Sequence, residues 1–309
     1  HPSLQGFDSI DLVGSGGEED EGKGFPSFRP THCFKQAPTV HHRHHDVAKD
    51  KIDSVFLFQD GKRFLAIQSG ENFDPAREGS ADFEREIKVV FRQEYAGTLE
   101  AALADVRDEA ALGEALRRLR RREMVRIAWR ELAGWAQLDA TLRDLSSLAE
   151  ACVDGALRRL YAWQAQDYGT PRDAKGAAQS LVVIAMGKLG GAELNFSSDI
   201  DLIFAYPADG ETRGKRRRIS NEEYFLRLGQ RLIGALSAAT AEGFVFRVDV
   251  RLRPFGNSGP LSASFSALED YYQTHGREWE RYAWIKARVV GGDRAAGARL
   301  LDTLHPFVY

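Results

Sequence analysis

The chain has 309 residues, 43% hydrophobic and 28% charged, with a formal net charge of −3. That leaves room for one or two domains with substantial cores and gives no general drive toward nucleic acid. Two cysteines, Cys33 and Cys152, lie outside any metal-ligand spacing and suit a reducing cytoplasm. No apolar run approaches a membrane span and the first residues lack the order of a secretory signal, so a cytoplasmic setting with no membrane partner is expected.

Residues 1–50 read as a disordered tail or as sequence foreign to the folded unit: Gly14 to Gly24 is acidic and glycine-rich, and prolines and histidines follow without periodicity. His41, His42, His44 and His45 invite a metal reading, against which stands the incidental histidine tract of a tail. Val55 to Ile67 reads as a small hairpin turning at Asp60-Gly61. From Asp82 to Tyr168 the pattern is helical, giving a mainly helical region over 51–168. Leu112, Leu116, Leu119, Met124 and Ile127 recur at three- and four-residue steps. Trp129, Leu132, Trp135 and Leu138 continue that stripe, and Leu142, Leu145, Leu148, Cys152 and Leu157 mark a further helix. The basic run Arg117 to Arg122 is either a solvated helix face or a surface for an acidic partner. Gly169 to Gln179 breaks the helices as a linker.

The remainder, 169–309, carries the chemistry. Leu181 to Met186 is an apolar run that predicts a buried strand, followed by a turn with Gly187, Lys188, Gly190 and Gly191. Glycines let a phosphate-bearing ligand approach the backbone closely. Asp199-Ile200-Asp201 then opens a second strand, and side chains two apart share one face. Two carboxylates on one face call for a cation, and Mg²⁺ with its hard oxygen ligands suits them. Asp209 to Arg218 reads as a polar loop. Ser220 with Glu223 predicts a capping box opening a helix with Phe225, Leu228, Leu232 and Leu236 inward. Phe244 to Arg253 alternates as a strand with Asp249, Arg251 and Arg253 on one face. The alternatives there are a surface salt-bridge ladder, or a third carboxylate for the metal with arginines for phosphate oxygens. A loop over Pro254 to Leu261 and two helices, Ser264 to Gln273 and Arg277 to Val290, close the region. Trp279, Tyr282, Ile285 and Val289 are expected in the core, with Lys286 and Arg288 as phosphate contacts.

These motifs resemble a known family. Gly187-Lys188-Leu189-Gly190-Gly191, Glu193 through Leu202, Gly243-Phe244 through Pro254, Ser258-Gly259-Pro260-Leu261 and Arg277 through Tyr282 are similar to the bacterial glutamine synthetase adenylyltransferase/adenylyl-removing family, within the DNA polymerase β-like nucleotidyltransferase superfamily. The resemblance covers roughly residues 110–292, with no second copy in the sequence, and implies a fragment of a longer two-domain enzyme. It implies an α+β fold, with a small mixed sheet flanked by helices and preceded by a helical region. Asn195 through Asp199 and Trp279 through Ala283 resemble the adenylyl-removing copy. The activity implied is removal of AMP from a glutamine synthetase tyrosine by phosphorolysis, releasing ADP. The alternatives are AMP transfer from ATP to that tyrosine, or a non-catalytic fragment that grips glutamine synthetase or the PII signalling protein. By the same resemblance Asp199, Asp201 and Asp249 would ligate one or two Mg²⁺ (or Mn²⁺) ions. Gly190, Gly191 and Ser198 would line the phosphate path, and residue chemistry adds Arg251, Arg253, Lys188 and Lys286 as phosphate contacts.

Overall fold

A computed structural model of the chain describes residues 92–309, apart from 215–216. The acidic tail, the histidine cluster, the hairpin expected at Asp60-Gly61 and the helical pattern expected over 82–91 lie outside the described residues. The described part falls within one unit, Ala81–Tyr309. It opens with three helices, α1 (Arg92–Ala102), α2 (Glu109–Leu132) and α3 (Leu138–Tyr168). Next come β1 (Thr170–Asp173), β2 (Val182–Ala185), the one-turn α4 (Gly187–Gly190), β3 (Ile200–Tyr206), β4 (Gly210–Arg213) and α5 (Asn221–Ser237). The chain continues as β5 (Val248–Asp249), β6 (Ser262–Ser264), α6 (Phe265–Thr274), α7 (Glu278–Trp284), β7 (Arg288–Gly292) and α8 (Arg294–Val308). The result is the expected α+β arrangement, helices around a small mixed sheet. No helix among the described residues is long and apolar enough to cross a membrane.

The sheet runs β5-β3-β2-β7, with β6 also on β3. β2 pairs antiparallel with β3 and β7, while β5 and β6 run parallel to β3, β5 at its first residues and β6 at its last. Side chains alternate across it as strand geometry requires. Val183, Ala185, Leu202, Phe204 and Tyr206 face a core shared with α1, α2, α3 and α5. Val182, Ile184, Ile203 and Ala205 face a second core built with α6, α7 and α8. Asp201 shares the parity of Ile203 and Ala205 but stands at the start of β3.

Local signals fix several helix starts. Asp108, Ser220, Ser264 and Asp293 each accept a backbone N–H from the first turn that follows. At Ser220 only half of the expected box forms: the Ser220 hydroxyl accepts from the Glu223 N–H, while the Glu223 carboxylate turns to Arg227.

Five expectations are corrected. The linker at 169–179 contains β1, which pairs with β4 inside the expected polar loop. The stripe through Trp129, Leu132, Trp135 and Leu138 does not exist as a buried face, because α2 ends at Leu132 and the Trp135 N–H turns back onto the Arg130 carbonyl. Leu132 is 82% exposed, and the buried group on that turn is Arg130, paired with Asp144 of α3. The expected solvated arginine face is partly used for packing, since Arg120 lies over the rings of Phe244 and Phe246.

The strand expected over 244–253 shrinks to two residues. The Val245 and Phe246 N–H groups bond to the Leu236 carbonyl, and Ser237 bridges the Phe246 carbonyl and the Val248 N–H, so this backbone is sewn to the end of α5. Finally, the helix expected from Arg277 to Val290 stops at Trp284, and Arg288 onward forms β7. The period was right but the phase was not: Glu280 and Trp284 point inward, leaving Trp279, Tyr282 and Ile285 exposed.

Candidate active site

An open cleft of about 410 Å³ lies where β2, α4 and β3 meet, a size that accommodates a small ligand. Gly187, Lys188, Asn195, Ser197, Ser198, Asp199, Asp201 and Arg247 line it. The start of β3 sets the carboxylates. Asp199 stands one residue before the strand, and Asp201 lies on it, its backbone carbonyl bonded by the Met186 N–H. The parallel pairing of β3 with β5 sets Asp201 directly against Asp249. Gly187 is the close neighbour on the other side. Its φ is +54°, and a Cβ there would stand 2.6 Å from Asp201 Oδ2, so only glycine allows the turn to approach the carboxylate this closely.

The three carboxylates differ in their partners. Asp199 is paired with Arg247, whose guanidinium also donates to the Ser197 carbonyl at 2.7 Å and lies over the Phe244 ring. Asp249 accepts the Arg251 backbone N–H at 2.8 Å and its guanidinium, and this pairing holds its carboxyl below the usual range. Asp201 has no such clasp. Burial, then the charges of Asp249 and Asp199, push its carboxyl above the usual range, opposed by Arg251. With Asp199 and Asp249 turned onto arginines, no three His, Cys, Asp or Glu side chains among the described residues already converge as a metal-ligand set.

Of the residues expected from sequence, Lys188, Ser198, Asp199 and Asp201 line the cleft, and Asp249 and Arg251 stand beside it. Ser198 donates to the Asn195 side-chain oxygen at 2.6 Å, orienting that amide. The others serve the cleft's frame. Gly190 packs so tightly that a Cβ would meet the Lys286 carbonyl at 2.1 Å, and Gly191 lies against the Lys286 side chain. Lys286 pairs with Glu193 at 2.6 Å. Arg253 spends its guanidinium on the carbonyls of Val250, Asn257 and Gly259, bracing the loop after β5. Arg288, expected at phosphate, bonds instead to the carbonyls of Leu189 and Gly190. Sequence reasoning placed Gly187 in the glycine turn but gave no site role to Asn195, Ser197 or Arg247. Arg247 had a readable signal, since it lies two residues before Asp249 with the same parity in the alternating run. Asn195 and Ser197 lie in a loop whose direction no periodicity announces.

The comparisons with known proteins bear on the family. A family model described as glutamate-ammonia ligase adenylyltransferase matches residues 82–303. Curated relatives named bifunctional glutamine synthetase adenylyltransferase/adenylyl-removing enzyme are similar over most of this sequence. The one from Nitrosococcus oceani is 61% identical over 216 residues, 70% of this chain and 22% of its own length. The Pseudomonas aeruginosa relative is 58% identical over 217 residues, 70% of this chain and 22% of its own length. The Shewanella loihica relative is 52% identical over 227 residues, 74% of this chain and 24% of its own length. The chain thus spans less than a quarter of the length of these relatives. With a match over 82–303 and identities of this size, the chain belongs to the glutamate-ammonia ligase adenylyltransferase family.

Proposed function

We propose that the cleft removes AMP from an adenylylated tyrosine of glutamine synthetase in the cytoplasm, with inorganic phosphate as acceptor and ADP as product. The observation that carries this reading is the Asp201–Asp249 pair beside Gly187 and Lys188, two strand-borne carboxylates facing a glycine turn in an open cleft. The relatives' name supplies the protein substrate and the two directions of adenylyl transfer. The similarity of Asn195 through Asp199 to the adenylyl-removing copy selects the direction.

The donor set fits a divalent cation. Asp201 is a half-buried carboxylate with two more at hand and no hydrogen-bond or ion-pair partner of its own among the described residues. Asp199, Asp201 and Asp249 would hold one or two Mg²⁺ (or Mn²⁺) ions, which when bound supply charge stabilisation to phosphoryl oxygens. For Asp199 and Asp249 to serve, Arg247 and Arg251 must release them. Arg251, like Lys188, would then face the phosphates. An oxygen of inorganic phosphate bonds to the AMP phosphorus, the bond from phosphorus to the tyrosine oxygen breaks, and that oxygen takes up a proton. Gly187, without a side chain, lets the turn stand directly against the Asp201 carboxylate. Gly190, Gly191, Arg253 and Lys286 act through the frame rather than by touching the ligand.

The test is ADP release from adenylylated glutamine synthetase with Mg²⁺ and phosphate, comparing the chain with Asp199→Asn/Asp201→Asn. Phosphate-dependent ADP that disappears in the double variant is the expected result. Pyrophosphate formed from ATP would reverse the direction. Neither product, from a chain that still binds glutamine synthetase or the PII signalling protein, would make it a binding module.

A further inference from the structure

Arg288 is the arginine that the sequence placed at phosphate and the structure places elsewhere. It leaves β7 and donates through Nε to the Gly190 carbonyl at 2.9 Å and through Nη2 to the Leu189 carbonyl at 2.8 Å. These carbonyls end α4, where a short helix leaves its last acceptors without intrahelical partners. The remaining arm of the guanidinium pairs with Glu150, a carboxylate of α3 that is only 5% exposed. One turn earlier on α3, the Ser146 hydroxyl accepts the Leu194 N–H at 3.0 Å. Residues at this spacing share a helix face. A single face of α3 therefore grips the 187–195 segment at two points, directly through Ser146 and through Arg288 as an intermediary. From the other side the Lys286 backbone leaves no room for a side chain at Gly190. The segment so held presents Gly187, Lys188 and Asn195 to the cleft.

We propose that Glu150 and Arg288 are positioning residues, a charged strut by which α3 holds the glycine turn in register with Asp201. Neither touches the cleft. The strut acts by fixing the turn's carbonyl end, so that Gly187 at the other end stays against the Asp201 carboxylate. A bidentate donor on two successive carbonyls fixes orientation as well as distance, which the point charge of a lysine does not. The strut itself stands on the hydrogen bonds, while its effect on a nucleotide rests on the function proposed above.

Three variants of the full chain test it: Arg288→Met, Arg288→Lys and the double variant Glu150→Gln/Arg288→Met. The readouts are melting temperature, amide hydrogen exchange over 187–195 and ADP affinity by calorimetry with Mg²⁺ present. Arg288→Met leaves the Glu150 carboxylate buried without this partner and should melt lower. The double variant removes both charges and should recover much of the melting temperature. In it, the N–H groups of Gly190, Gly191, Ala192 and Glu193, all bonded within the turn, should still exchange faster than in the wild type. ADP should bind about tenfold more weakly in the double variant, equivalent to about 1.4 kcal/mol. Arg288→Lys should not rescue either. If exchange and affinity both return to wild-type values with the melting temperature, the pair only fills space and the proposal is overturned. Faster exchange in a chain whose wild type binds no ADP would uphold the strut and count against the nucleotide reading of the cleft.

Discussion

Replacing Asp201 by Asn keeps the side chain's shape and removes the least compensated charge of the site. Neighbouring strands lie about 4.8 Å apart, and unit charges at that distance repel by about 1 kcal/mol in water and about 3 kcal/mol at an effective dielectric constant of about 20. Arg251 already offsets Asp249, and Asp201 is only half-buried, so screening favours the lower figure. Without divalent ions, Asp201→Asn should therefore be about 1 kcal/mol more stable than wild type, a rise of about 2–4 °C for a domain of this size. The pH dependence follows from the direction of the shift. A carboxyl raised in the folded state keeps its proton to higher pH than in the unfolded chain. The wild type then loses stability as pH rises through the folded value, and the advantage of the variant fades below the unfolded carboxyl range, near about pH 4. Divalent ions should reverse the order. A ligand at a hundred times its dissociation constant adds about 2.7 kcal/mol, and the wild type should gain it while Asp201→Asn gains little. Thermal melts in chelator, then in Mg²⁺ or Mn²⁺, read both effects. An Asn variant that melts below wild type in chelator, or that rises as far as wild type with metal, refutes the reasoning.

Gly187→Ala should cost about 1–2 kcal/mol from the left-handed backbone alone and should displace Asp201, so thermal melts and metal-dependent ADP release should both fall. Arg130→Met removes the closest partner of the buried Asp144, leaving Arg126 at 3.6 Å. Breaking such a pair costs about 3–5 kcal/mol, and denaturant melts should show a loss at the low end of that range.

The candidate site was more legible than its surroundings. Asp199-Ile200-Asp201 after a glycine turn announces itself because strand parity translates directly into a shared face. The parallel pairing that brings in Asp249 needed only one further alternating segment to guess at. Periodicity failed where it had to supply phase. Trp279 and Tyr282 on α7 and Ile285 just after it share one side as their spacing says, yet that side faces outward, because Glu280 inside accepts hydrogen bonds from Tyr271 and the Arg277 backbone. It failed again over 244–253, where the end of α5 takes the Val245 and Phe246 backbone hydrogen bonds and only Val248 and Asp249 pair with a strand. Arg288 and Arg253 show the limit for charged residues: a guanidinium satisfied by main-chain carbonyls looks, in sequence, like one waiting for phosphate.

The last strand of the sheet has a consequence for how this site comes into being. β2 meets β3 early, but its other edge waits for β7, and the Arg288–Gly190 bond joins positions 98 residues apart. Contacts so distant in sequence close late, since the intervening loop must lose its freedom first. A chain emerging from the ribosome can therefore lay the carboxylates on β3 long before the glycine turn is fastened. The cleft should take its working shape only once the segment through Gly292 has been made and docked.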